Sequence, residues 1–177
     1  NSSSVSFMVN LSHGWNTSFF EYTGSTTNFS AFNITQLMNL SNVILDDSCN
    51  RINFKENLNI SEDVNLDLYS NISFNRIEIR SEFIPMFNKS ATLRLCALTL
   101  TNPRILGDGV ECPGSICVKN SYSGGILNFN VTGFSIYSAE ETPSTTPSSS
   151  SGSSGSGSGG GKTISSQGIT TLDNFKT

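Results

Sequence analysis

The chain has 177 residues, enough for one domain with its own hydrophobic core and a tail. Only 14% of the residues are charged and the formal net charge is -4. That balance provides no basic surface to replace the counterions of a phosphate backbone, which argues against nucleic acid as a partner.

Polarity comes instead from amides and hydroxyls: there are twenty asparagines, against ten Lys plus Arg. No apolar run reaches the roughly eighteen residues of a membrane-spanning helix. The N-terminus lacks a charged segment followed by an apolar signal core, so an exported form is expected to have lost its signal already. Any membrane anchor is expected to lie outside this chain.

In chain order, Val5, Phe7, Val9 and Leu11 alternate with Ser6, Met8 and Asn10, the period-two pattern of a strand with one apolar face. This strand either opens its own domain or pairs with an open sheet edge of a second copy, where those four side chains would set the register. "SHGW" follows, with the single histidine His13 and Trp15, and then Phe19, Phe20 and Tyr22. These aromatics read either as core or as a contact patch. "NITQLMNL" offers a short helix with Asn33 or Thr35 near its start.

Beyond it the strand period recurs at Ile52 and Phe54, Leu58 and Ile60, Val64, Leu66 and Leu68, Ile77 and Ile79, Leu93 and Leu95, and Leu127, Phe129 and Val131. Asn, Asp, Ser and Gly separate the runs as turns require. The expected fold is all-β, an Ig-like β-sandwich, with short β-solenoid arcs as the alternative between about residues 43 and 80. The β domain covers 1–141. Residues 142–161 are all Ser, Thr, Pro or Gly, a linker composition that as a random coil spans about 25 Å. Residues 162–177 regain Ile164, Ile169, Leu172 and Phe175 and read as a short terminal segment.

Ten Asn-X-Ser/Thr sequons occur, at Asn1, Asn10, Asn16, Asn28, Asn33, Asn39, Asn59, Asn71, Asn88 and Asn130. With roughly a fifth of residues Ser or Thr, chance alone gives about four, so the excess points to a chain carrying covalent N-glycans in an exported compartment. Four cysteines fit that compartment. Cys112 and Cys117 flank "PGSI", whose Pro and Gly favour a tight turn and a local bridge. Cys49 and Cys96 either pair, closing a long loop, or remain a loop thiol and a small buried hydrophobe. Zinc would want a second pair of Cys or His residues at metal spacing, and the only histidine is His13.

The runs "GSTTNFSAFNITQLMNLSNVILDD" and "NRIEIRSEFIPMFNKSATLRLCALTLTNPRILGDGVECPGSICVKNSYSGGILNFNVTGFSIYSAEE" resemble a domain of predicted archaeal surface proteins, often set just ahead of a low-complexity linker. The likeness spans about residues 24 to 141; its more specific pieces are "NKSATL", "NPRILGDG", "CPGSIC" and "FNVTGFSIYSAEE". It implies location and architecture without any chemistry, and Cys49 and Cys96 are not part of its pattern.

No nucleophile elbow or phosphate-cradling loop is legible. The acidic pairs Asp46 and Asp47, Glu62 and Asp63, and Glu140 and Glu141 lack calcium-loop spacing and read as solvated loops. The expected role is therefore non-enzymatic and without cofactor or metal. It is a structural glycoprotein of the cell exterior, a homo-oligomer or homopolymer assembled by strand addition; the alternative is a glycosylated adhesin displayed on the Ser/Thr-rich stalk.

Overall fold

The computed structural model describes residues 24–62 and 64–144. The chain divides into two units, Asn1–Pro143 and Ser144–Thr177. Among the described residues the first unit is a β-sandwich of two five-stranded antiparallel sheets. Its strands are β1 (Ile44–Asp46), β2 (Arg51–Phe54), β3 (Ser70–Ser73), β4 (Arg76–Ile79), β5 (Ala91–Leu95), β6 (Pro103–Gly107), β7 (Val110–Glu111), β8 (Cys117–Ser123), β9 (Ile126–Val131) and β10 (Ile136–Glu141). One sheet runs β1-β2-β5-β9-β8 and the other β3-β4-β10-β6-β7.

Alternation decides which side chains meet between the sheets. Leu45, Ile52, Leu93, Leu127 and Phe129 of the first sheet and Ile77, Ile79 and Tyr137 of the second are buried. Each buried Leu, Ile or Phe contributes about 1.5–3 kcal/mol relative to exposure. Rings from opposite sheets meet edge to face at the centre, Phe129 on Tyr137 with centroids 6.0 Å apart. The Tyr137 hydroxyl, carried into this apolar layer, donates to the Gly133 carbonyl at 2.7 Å, so its polar tip is satisfied.

Residues 43–80 form two antiparallel hairpins, β1-β2 and β3-β4, which belong to different sheets, so the solenoid alternative for that stretch does not hold. The short helix expected near Asn33 is α1 (Ile34–Leu37). Asn33 Oδ1 accepts from the Gln36 N–H and Gln36 Oε1 accepts from the Asn33 N–H, a reciprocal capping box that satisfies two otherwise orphaned donors. Val64, Leu66 and Leu68 do not make a strand. Asn65 Oδ1 accepts from Leu68 N at 3.1 Å and starts α2 (Leu66–Tyr69), so Leu66 turns inward while Leu68 is exposed. Leu58 pairs with Leu40 as an isolated bridge, and Ile60 N–H donates to the Leu37 carbonyl.

Positive-φ residues at two turns complete the second sheet and join the last two strands of the first. Asn75 (φ 50) ends the β3-β4 turn, and its side-chain amide pairs with the backbone of Ala139, donating to O and accepting from N at 2.8 Å each. It thereby acts as one further rung for β10 beyond the pairing of Tyr137 with Ile77. The β8-β9 hairpin turns at Gly124 (φ 57) and Gly125 (φ 75), the left-handed region that glycine enters without a Cβ clash.

A Cβ on Gly125 would lie 2.6 Å from the Leu98 carbonyl oxygen, whereas one on Gly124 meets nothing within 4 Å. Gly125→Ala is therefore expected to destabilise the domain by several kcal/mol and Gly124→Ala by only about 1–2 kcal/mol, the ordinary left-handed penalty. Urea unfolding of the two variants side by side checks the difference.

Candidate functional surfaces

The turn from β1 into β2 concentrates the buried polar groups of the first sheet. Asp47 Oδ1 accepts from the N–H groups of Cys49 and Asn50, and Asp47 Oδ2 accepts from Asn50 Nδ2 at 2.9 Å. Asn50 is 3% exposed. It bridges the sandwich: Nδ2 also donates to the Ser73 carbonyl of β3 at 3.1 Å, and Oδ1 accepts from Cys96 N, just beyond β5, at 3.1 Å. Cys49 and Cys96 are disulfide-bonded with their Cα atoms 5.7 Å apart, and Arg94 Nε donates to the Cys49 carbonyl at 2.7 Å. One bond therefore ties the β1-β2 turn to the end of β5, and one amide ties both to the opposite sheet.

Asp46, expected as part of a solvated acidic loop, is 1% exposed. Its carboxylate accepts from Arg51 Nε at 2.9 Å, Ser48 N at 2.8 Å and Ser25 N at 3.2 Å. Burial alone would push its pKa up; the Arg51 hydrogen bond and the two backbone N–H groups outweigh this and hold it below its ordinary 3.8. Glu78, on the outer face of β4, is likewise held down: its burial is offset by Arg76 on the same strand and by Arg80 just past its end. Glu140 pairs with Arg104, and Glu141 accepts from the N–H groups of Thr101 and Asn102 at 2.7 and 2.8 Å. These carboxylates hold structure in place, and Glu62 is exposed.

Cys112 and Cys117 are bonded with Cα atoms 5.8 Å apart across the Pro113–Ile116 turn, where the Cys117 N–H donates to the Pro113 carbonyl. The bridge fixes the crossover from β7, at the edge of one sheet, to β8, at the edge of the other.

Seven of the ten sequons lie among the described residues, and none of the seven asparagines is buried. Asn28, Asn33, Asn39, Asn59 and Asn88 are exposed, while Asn71 and Asn130 are partly so, on the outer faces of β3 and β9. Asn39 and Asn59 flank the Leu40–Leu58 bridge, and Asn57 Nδ2 donates to Asn39 Oδ1 at 3.0 Å. Asn130 sits in an amide ladder, accepting from Thr92 Oγ1 at 2.9 Å and donating to Asn120 Oδ1 at 3.1 Å. Asn1, Asn10 and Asn16, the strand residues Val5, Phe7, Val9 and Leu11, and the aromatic group from Trp15 to Tyr22 lie outside the described residues.

The sheet edges differ in how they are finished. Along β1, Thr27 N–H donates to the Ile44 carbonyl, and the Thr26 and Thr27 hydroxyls accept from the Asp46 and Ile44 N–H groups, so residues 25–27 cover that edge. Among the described residues β8 is the longest edge strand, seven residues, with a bulge between Lys119 and Ser121. Val118 is 53% exposed on it, with Ile116 beside it and Val110 on the neighbouring β7 edge. Sequence periodicity misses β8 because its apolar residues do not alternate cleanly through the bulge; the available signal is "VKNSYSGGILNFNV", two runs joined by Gly-Gly.

Loop-closure entropy gives the Cys49–Cys96 bond, which spans a separation of 47, about 4 kcal/mol of stabilisation and the Cys112–Cys117 bond, at a separation of 5, about 2 kcal/mol. Cys49→Ala/Cys96→Ala is thus expected to lower unfolding free energy roughly twice as far as Cys112→Ala/Cys117→Ala, measured by guanidinium titration. A carboxylate with a depressed folded-state pKa contributes stability fully above its unfolded value and loses it as pH falls through the folded one. Stability should hold down to about pH 5 and decline below about pH 4. Asp46→Asn should lower stability at pH 7 and flatten that acid limb, read by thermal unfolding from pH 7 to pH 2. No family model, curated protein or solved structure matches this chain.

Proposed function

We propose that this chain is an extracellular structural glycoprotein, the repeating subunit of a surface fibre or coat of the kind the archaeal resemblance implies. The observation that carries the reading is a conjunction on one sandwich: two disulfides, and seven described sequons all reaching solvent. Disulfides persist in oxidising compartments, and N-glycans are added only to exported chains. A surface with few ions is kept soluble and its strand edges are shielded when sugar covers it.

Assembly proceeds by strand addition. The donor is the alternating segment Val5, Phe7, Val9 and Leu11, and the acceptor is the outer edge of β8 in the next copy, beside Val118 and Ile116. Edge pairing supplies backbone hydrogen bonds, and the alternate side chains of the added strand fix its register. The bulge at Asn120 limits pairing to part of the strand and so favours one register over slipped ones.

Electron microscopy of the native protein is expected to show filaments or a lattice, and intact mass should exceed that of the bare 19.1 kDa polypeptide by several glycans. Deleting residues 1–11, or introducing Val118→Lys, should leave a folded monomer and abolish assembly. Filaments that persist in both variants would refute strand addition at β8. Saturable binding to a glycan array by a chain that never assembles would favour the adhesin instead.

A further inference from the structure

We propose that Asn59 is an occupied N-glycosylation site whose first sugar is seated on the protein surface, in the depression lined by Asn59, Ser61, Glu62, Pro85 and Met86. This rests on the glycoprotein reading above and assigns one site within it. The acceptor turn is already assembled. Asn59 Oδ1 accepts from both the Ser61 hydroxyl at 2.7 Å and the Ser61 N–H at 3.2 Å, so the two groups that define a sequon are held together in a single exposed turn. Asn59 Nδ2, the atom that takes the sugar, makes no hydrogen bond among the described residues. At Asn130 the corresponding nitrogen is committed to Asn120.

The turn is also fixed in place. Leu58 and Ile60, on either side of Asn59, are 0% exposed, so the asparagine projects from two buried anchors. The opposite wall is equally anchored: Pro85 and Met86 belong to the 3-10 turn Pro85–Phe87, whose Phe87 is fully buried. A pyranose attached at Nδ2 has an apolar C–H face, which the ring of Pro85 and the thioether of Met86 match, and hydroxyls, which the Glu62 carboxylate accepts. The seat lies beside the attachment atom, so the sugar reaches it at little entropic cost.

The donor class is a sugar linked through diphosphate to a lipid, delivered by a membrane transferase. Nδ2 forms a bond to the anomeric carbon and the carbon–oxygen bond to diphosphate breaks. The electron pair departs with the lipid diphosphate, and one amide proton passes to a base of the transferase. No oxidation or reduction is involved.

The test is glycopeptide mapping of the native chain purified from its source, followed by comparing endoglycosidase release from folded and denatured protein. Most molecules should carry sugar at Asn59, released much more slowly from the folded chain, and Met86→Ala should speed release from the folded chain. Ser61→Ala should empty Asn59 alone, and Ser61→Thr should keep it occupied. A bare Asn59 on a chain glycosylated elsewhere overturns this site and leaves the glycoprotein reading standing, whereas ten bare sequons overturn both. Equal release rates from folded and denatured chain overturn the seat.

Discussion

The fold depends on how the turn from β1 to β2 is anchored to both sheets. A sandwich of two five-stranded sheets gains most of its stability from apolar contact, which has no directional preference and does not by itself fix how one sheet sits on the other. Asn50 supplies direction. Its amide reaches Asp47 in its own turn, Cys96 at the end of β5 and Ser73 in the facing sheet, and a buried amide left without those partners would cost about 1–3 kcal/mol per lost bond. The Cys49–Cys96 bond acts on the same two segments through the unfolded chain, by removing conformations that separate them. Together they set the relative position of the sheets at one end, while the Cys112–Cys117 crossover does so at the opposite edge.

Much of this architecture was legible in the sequence, and the reasons for the exceptions are local. Clean alternation in "TLRL" and "LNFNV" identified β5 and β9 because each faces the core on one side only. The same alternation in "VNLDL" was misleading, since Asn65 offers the backbone a helix cap that a period-two count ignores. The solenoid alternative arose because strand spacing carries no information on which sheet a hairpin joins. Asp46 and Asn50 were opaque for a different cause: sequence places them in an acidic, amide-rich turn, and their burial depends on Ser25, Arg94 and Ser73 arriving from elsewhere.

The surfaces followed the same division. Sequons are read directly from three residues, but their differing states are not. Asn130 is tied into a ladder by Thr92 and Asn120, whereas Asn59 is closed onto its own Ser61. The first depends on strand register and the second on a turn between two buried anchors. That β8 is an edge strand among the described residues emerges only from the order of strands in the sheet, because whether a strand lies at an edge is a property of topology rather than of its own residues.

The placement of β10 has a mechanical consequence. It is the last strand before the Ser/Thr-rich segment and lies between β4 and β6, with Glu141 gripping the N–H groups of Thr101 and Asn102 and Thr142 N–H donating to the Asn102 carbonyl. Tension applied beyond Thr142 along the strand axis loads the ladder to β6, paired over five positions, in shear at once, because interstrand bonds run perpendicular to the strands. Such a strand yields by rupture of many bonds together rather than by peeling one after another, and the Asn75 amide on Ala139 adds a clamp on its other flank.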